Sequence, residues 1–187
     1  MKKTLIIFFL ALLALGATER GVRAEDAVID SVAFDKGPPM KVSFEVKNAF
    51  TKDIEEAIRS GVETSFTYII ELNRVNSVWF NEQIGRWEFR HTVKYDTLKE
   101  EYEIKRDEAG AEAVIRTKDP AEMKRIMAAG ESVELTPKVE PAAGADYEVR
   151  IMAELHTVEL PFFLDYVLFF VKFWDFETDW YTFNFRP

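Results

Sequence analysis

The chain contains no cysteine among its 187 residues. This absence excludes disulfide bonds, thiol catalysis, cysteine-based metal sites and the attachment of a lipid to a cysteine. Positive charge is also in short supply, because 24 basic residues face 33 acidic ones and the formal net charge is −9. An acidic balance argues against nucleic acid as a partner, since the phosphates of nucleic acid require a basic protein face.

Motifs that carry catalysis or hold a cofactor are missing as well. The only two histidines, His91 and His156, are far apart in sequence and fall on opposite faces of their predicted strands. There is no nucleophile-elbow serine, paired-histidine zinc motif or phosphate-binding glycine loop. Asp175, Glu177 and Asp179 alternate, but the glycine and distal glutamate of a calcium loop are absent. We therefore expect no enzyme, no metal and no cofactor, and a carboxylate-based hydrolase is the least favoured alternative.

The chain does carry the pattern of a secretory signal peptide at its start. Lys2 and Lys3 precede an uncharged stretch at residues 5–16, which is shorter than the roughly 20 residues that span a bilayer. Residues 22–24, Val-Arg-Ala, then resemble a signal-peptidase site. The sequence predicts cleavage after Ala24. Cleavage removes four basic residues and one acidic residue, so the predicted mature chain has a net charge of −12.

Alternation of apolar and polar side chains predicts a mainly β domain over residues 25–187. Residues 41–47 alternate cleanly, and residues 86–95 place Trp87, Phe89 and His91 on one apolar face. Phe66 and Tyr68 belong to a similar apolar face in the strand predicted at 64–75. The remaining predicted strands are residues 28–34, 98–107, 111–117, 147–157 and 180–185.

Two short helices are predicted between these strands. The first begins after Thr51, which can cap it, and ends at Gly61. The second begins with a capping box at residues 119–122, Asp-Pro-Ala-Glu, and ends at Gly130. Residues 131–144, which contain two prolines, are expected to form a surface connector. Six to eight strands with polar outer faces predict a single-domain antiparallel β-sandwich, immunoglobulin-like, or a small barrel, with the helices at its ends or edges.

Residues 160–187 are unusually aromatic, with 12 aromatics among 28 residues against an average of 14% for the chain. A predicted helix at residues 162–170 is apolar almost all around, as buried helices are. Aromatic side chains also suit a partner surface or a membrane interface, whereas the apolar stretch is too short for a membrane span. The segment is thus expected either to cover the core or to bind a partner. The candidate partner surface consists of Phe162, Tyr166, Phe169, Phe173 and Trp174.

Several passages together carry a family resemblance. Residues 54–62, Ile-Glu-Glu-Ala-Ile-Arg-Ser-Gly-Val, run directly into the strand that holds residues 66–68, Phe-Thr-Tyr. Residues 95–102 follow a tryptophan-containing strand, and Leu160-Pro161 precedes two late tryptophans. In this order the chain resembles the uncharacterised bacterial family known as domain of unknown function 4390, over nearly all of the mature region. The resemblance implies a periplasmic protein of a Gram-negative-type cell envelope, with no assigned activity or catalytic residues.

Two functions follow as expectations. The first is a non-enzymatic envelope protein that binds another envelope or membrane-complex protein through the aromatic segment, with no membrane span in the mature chain and peripheral membrane contact possible. The alternative is a periplasmic carrier whose barrel or open sandwich encloses an apolar or lipid ligand. Its cavity would be lined by Phe44, Phe66, Tyr68 and Phe89.

Overall fold

The computed structural model of the chain describes residues 26–108, 111–157 and 176–187. These residues form ten strands and two helices, so the prediction of a mainly β fold is confirmed. The helices are α1, Lys52–Arg59, and α2, Pro120–Ala128. The strands are β1 Val28–Asp35, β2 Met40–Lys47, β3 Thr64–Arg74, β4 Glu82–Asp96, β5 Glu101–Glu108, β6 Ala111–Thr117, β7 Ala129–Leu135, β8 Tyr147–Thr157, β9 Phe176–Glu177 and β10 Tyr181–Phe185.

The strands form two antiparallel sheets. The smaller sheet has the order β1-β2-β7, and the larger follows the path β10-β8-β3-β4-β5-β6, with β9 pairing beside it to β8. Because the large path begins at β10 and ends at β6, the described strands form an open, sandwich-like arrangement and not a closed barrel. Thr178 continues the edge between β9 and β10, since its hydroxyl accepts a hydrogen bond from the Ala153 backbone at 3.0 Å.

The core lies between the two sheets and is filled by aromatic rings. The ring of Phe44 in β2 lies 5.4 Å from that of Tyr68 in β3, which lies 4.9 Å from Phe89 in β4. Phe66 packs edge-on against Tyr68 at 6.4 Å. These four residues contact one another and occupy the space that a carrier cavity lined by them would need. His91 is fully buried against Tyr68, which confirms its expected place in the core.

The central strand β3 is buried on both faces, whereas alternation alone predicted one buried face. Glu71 and Asn73, which point away from the core, are only 8% and 6% exposed. β3 lies between β4 and β8, so long side chains from both neighbours reach across it. Arg86 and Arg150 supply this cover, because both bind the Glu71 carboxylate. Burial of this face therefore depends on side chains that come from two other strands.

Both helices begin as predicted. The Thr51 hydroxyl accepts a hydrogen bond from the backbone N–H of Ile54 at 3.3 Å, and Asp119 accepts one from Ala121 at 2.8 Å. The predicted capping box is incomplete, because the Glu122 carboxylate accepts from the Thr117 hydroxyl at 2.5 Å.

Three local predictions are wrong. Residues 131–144 are not all connector, since β7 follows α2 directly, and β7 with the short β9 raises the strand count from eight to ten. Gly130 lies within β7, where an added Cβ would be 2.5 Å from the Phe44 ring; it permits close packing and does not end the helix. Leu98 is 95% exposed in the turn after β4 instead of lying in the next strand, because the Asp96 carboxylate accepts from the N–H groups of Leu98 and Lys99.

Candidate functional site

The aromatic residues predicted to form a partner surface lie outside the described residues. These are Phe162, Tyr166, Phe169, Phe173 and Trp174. The leader at residues 1–24 and the acidic residue Asp175 lie outside them too. The candidate site is therefore built from the described residues alone, and the most unusual surface among them is one end of the sandwich.

Three short contacts connect the elements at this end, which we name the apolar pole. The backbone N–H of Val75, just after β3, donates to the Asp146 carbonyl at 2.8 Å. The Arg186 guanidinium donates to the Asp146 carboxylate at 2.8 Å, and the Lys36 ammonium donates to the Arg186 carbonyl at 2.8 Å. Met40 of β2 pairs with Leu135 of β7 at the same end, so the apolar pole joins residues 36–40, 75–81, 135–141 and 185–187.

A cleft of about 370 Å³ opens at the apolar pole between the ends of the two sheets. Its volume lies within the range of roughly 300–1,000 Å³ that is typical of ligand sites. Met40, Leu135 and Phe185 are its most buried lining residues, at 8%, 1% and 9% exposure. Five of the seven prolines in the chain also line it. The other lining residues are Lys36, Gly37, Pro38, Pro39, Thr136, Pro137, Glu140, Pro141 and Pro187.

The proline lining determines what the cleft can bind. Proline has no backbone N–H and a fixed φ angle, so these walls are stiff and offer few hydrogen-bond donors. Opposite charges lie at the rim: the Lys36 ammonium is 5.9 Å from the centre of the Phe185 ring, and the Glu140 side chain is exposed. The cleft therefore suits an apolar group that carries little charge of its own.

A second apolar feature lies at the same end of the sandwich. Residues 75–81, which we name the tip loop, connect β3 to β4 and present three consecutive exposed side chains. Val78 is 81% exposed, Trp79 80% and Phe80 93%. The neck of the loop is closed by the Asn76 backbone N–H, which donates to the Asn81 side chain at 3.2 Å. The Asn76 amide also donates to the Phe80 carbonyl at 3.3 Å, so the loop has a defined shape.

The outer face of the large sheet carries a polar cluster that is occupied by its own charges. The Glu71 carboxylate accepts from Arg86 at 2.7 Å and from Arg150 at 3.4 Å. Trp180 stacks on the Arg150 guanidinium at 4.2 Å. Since these groups already bind each other, the cluster offers a rigid surface more readily than a general base.

The opposite pole of the sandwich differs from the apolar pole. There the tight turn after β4 is held by Asp96, whose carboxylate also lies 3.4 Å from the Lys99 ammonium. The backbone hydrogen bond from Lys99 is the main cause that lowers the pKa of Asp96 below its ordinary value. Leu98 is the exposed apolar side chain of this turn.

The described residues contain neither a metal-binding cluster nor a membrane-spanning helix. Within residues 26–108, 111–157 and 176–187, no three acidic or histidine side chains cluster closely enough to hold a metal ion. Neither α1 nor α2 has the length and apolar character that crossing a bilayer requires.

Sequence reasoning did not foresee the apolar pole. The Val-Trp-Phe run at residues 78–80 was an available signal, because three large apolar residues between two strands cannot all be core. The cleft had a weaker signal in the prolines of the β1–β2 turn and of residues 137–141. Only the folded chain brings those two connectors together with the last residues of β10.

Comparisons with known proteins place the chain in a family without assigning an activity. Neither the search of curated proteins nor the search of solved structures gave a match. A family model covers nearly the whole β domain, from just before β1 to within β10. Because that model matches residues 27–184, the chain belongs to the family described as Domain of unknown function (DUF4390).

Proposed function

We propose that the protein is a non-enzymatic, exported component of the cell envelope that binds another envelope or membrane-complex protein. The observation that carries the proposal is the proline-lined cleft at the apolar pole. Its stiff walls lose little conformational freedom on binding, which favours the entry of an apolar side chain from a partner. Phe185 and Pro187 belong to the aromatic C-terminal segment, so the cleft includes part of the region predicted from sequence to bind.

Export to the periplasm of a Gram-negative-type bacterium is part of this proposal. It is supported by the pattern of residues 1–24, in which two lysines precede an uncharged apolar stretch and a Val-Arg-Ala sequence. Cleavage after Ala24 would leave the described β domain whole, because β1 begins at Val28. A binding role without catalysis is supported by the pairing of Glu71 with two arginines and by the burial of His91 among aromatic rings.

In-cell photo-crosslinking tests the proposal. A photoreactive residue replaces Glu140, which is exposed at the rim of the cleft, and adducts are identified by mass spectrometry. We expect a defined protein adduct at this position. A matched control carries the same residue at Leu98, which is fully exposed at the opposite pole. A third position, Phe169, tests the predicted aromatic surface.

The outcomes separate the possibilities. The proposal predicts that the probe at Glu140 captures one defined partner and that the probe at Leu98 captures none. Capture of the same partner by the probe at Phe169 agrees with the proposal but is not required by it. Equal labelling at Glu140 and Leu98 would show contact without a specific site and would contradict the proposal. A partner captured from Phe169 alone would keep the interaction role but move it away from the cleft.

A periplasmic carrier of an apolar or lipid ligand is the second candidate, and the volume of the cleft favours it. Phe44, Phe66, Tyr68 and Phe89 pack against each other, so a ligand would occupy the cleft instead of the core. Organic extraction of the purified protein distinguishes the two functions. A stoichiometric apolar compound that is lost in Leu135→Lys and retained in Leu98→Lys would support the carrier.

A further inference from the structure

We propose that the tip loop, residues 75–81, inserts into the headgroup region of a zwitterionic lipid bilayer and anchors the protein there. This anchoring is separate from the proposed function, because it requires no partner in the cleft. Val78, Trp79 and Phe80 are each 80% or more exposed. None of the three contributes an appreciable buried surface to the described fold.

The size of this patch fits a membrane better than a protein. An aromatic side chain presents about 150–250 Å² for burial, so three large apolar residues offer on the order of 400 Å². A stable protein interface takes about 800 Å² from each partner. Transfer into a bilayer needs no matching surface and no minimum area, because the hydrophobic effect scales with the apolar area removed from water.

The charge of the loop also points to lipid. Residues 75–81 contain no charged side chain, in a chain of which 30% is charged. Arg74 and Glu82 flank the loop and balance each other. The whole chain is acidic, with a net charge of −9, so a strongly anionic bilayer would repel it. Attachment through this loop therefore depends on apolar transfer and favours zwitterionic headgroups.

The geometry of the loop suits the depth of the interface. The chain bends at residues 77–79, so Val78, Trp79 and Phe80 lie at the tip of the loop. Interfacial apolar groups reach a depth of roughly 5–10 Å in a bilayer. Trp79 and Phe80 would lie at that depth, where aromatic side chains are favoured in membrane proteins. The amides of Asn76 and Asn81, which close the neck, would then lie among polar headgroups.

Single-cysteine labelling tests the proposal directly, because the chain has no cysteine of its own. Ser77→Cys carries an environment-sensitive dye in the tip loop, and Thr97→Cys carries it in the turn at the opposite pole. Both proteins are expressed from the full-length sequence and purified in the form that the cells produce. Phosphatidylcholine vesicles should shift the dye emission to the blue at position 77 and leave it unchanged at position 97. The response should persist in high salt, since charge does not drive it.

Vesicle co-sedimentation then measures the contribution of the aromatic pair. The double variant Trp79→Ala/Phe80→Ala should lower the partition coefficient about tenfold or more, whereas Leu98→Ala should leave it within about twofold. An unchanged denaturation midpoint shows that each variant is folded. No dye response to vesicles would overturn the proposal, and so would equal responses at positions 77 and 97.

Two other results would also overturn it. A blue shift that rises with protein concentration in the absence of vesicles would assign the loop to a second copy of the chain. Binding seen only with anionic lipid at low salt would assign it to electrostatics. Glu140 crosslinks are read in a separate experiment, so failure of either proposal leaves the other measurable.

Discussion

The two ends of β4 lead into turns of opposite character. At Glu82 the strand receives the tip loop, which has seven residues and exposes Val78, Trp79 and Phe80. At Asp96 it enters a tight turn with one exposed apolar residue, Leu98. Both turns are held by hydrogen bonds between a side chain and the backbone. The Asn81 side chain accepts from the Asn76 N–H at one end, and the Asp96 carboxylate accepts from the Leu98 N–H at the other.

In both turns, the groups that fix the backbone differ from the apolar side chains that the turn exposes. Polar groups fix both loops, and neither loop needs its apolar side chains in order to fold. A single exposed leucine is ordinary on a protein surface, but three consecutive large apolar residues at the same end as an apolar cleft are not. The apolar pole therefore carries side chains that folding alone does not explain.

The largest expected effect on stability comes from removing the side chain of Phe185, one of the most buried residues that line the cleft. Phe185→Ala deletes a ring that lies 4.8 Å from Phe34 and 5.6 Å from Tyr147. We expect a loss of about 3 kcal/mol in the free energy of unfolding, the lower end for a buried phenylalanine, because Phe185 lies on an edge strand. Urea unfolding measures this loss. Tyr181→Ala on the same strand, at 38% exposure, should cost much less stability. Equal losses would contradict the buried packing of Phe185 against Phe34 and Tyr147.

A smaller effect is expected where the tip loop joins the body. An added Cβ at Gly85 would lie 2.2 Å from the Trp87 ring, so Gly85→Ala must displace that ring from its packing against the core. We expect a loss of about 1 kcal/mol, at the low end for overpacking, because the contact is with a side chain. The control is Gln83→Ala, an exposed position on the same strand. A neutral Gly85→Ala would show that Trp87 moves freely and does not brace the loop.

The smallest effect is expected at the opposite pole and depends on pH. The folded state lowers the pKa of Asp96, so this carboxylate stabilises the fold above the pKa of the unfolded chain. That contribution is lost as the pH falls through the folded pKa. Asp96→Asn should therefore be less stable than the parent at pH 7, and the difference should shrink below about pH 4. Glu100→Gln removes a charge from the same turn but none of these hydrogen bonds, and a difference independent of pH would contradict the assignment.

Regular alternation made most strands predictable from the sequence. β8 occupies the predicted residues 147–157, because Tyr147, Val149 and Ile151 repeat with the period of a strand. β7 was missed because Ala129 and Gly130 look like the end of a helix. The burial of Glu71 was missed because it depends on Arg86 and Arg150, which belong to other strands.

The candidate site was less predictable than the fold for a related reason. Each segment of the cleft reads as an ordinary connector, and its concave shape exists only when residues 36–40, 135–141 and 185–187 meet. The tip loop lies within one segment, and its Val-Trp-Phe run was visible. What the sequence could not show was that no other part of the described chain covers these side chains.

The place of β3 at the centre of the large sheet has a consequence for how the chain folds. β3 pairs on one side with β4, which follows it directly, and on the other with β8, where Thr64 meets Thr157. As the chain emerges N-terminus first, the β3–β6 meander can form early, while the second edge of β3 waits for the last third of the chain. Such non-local pairing slows folding to the millisecond-to-second range of β proteins. An open edge on so buried a strand is a place for aggregation, so pairing with β8 protects the folding chain.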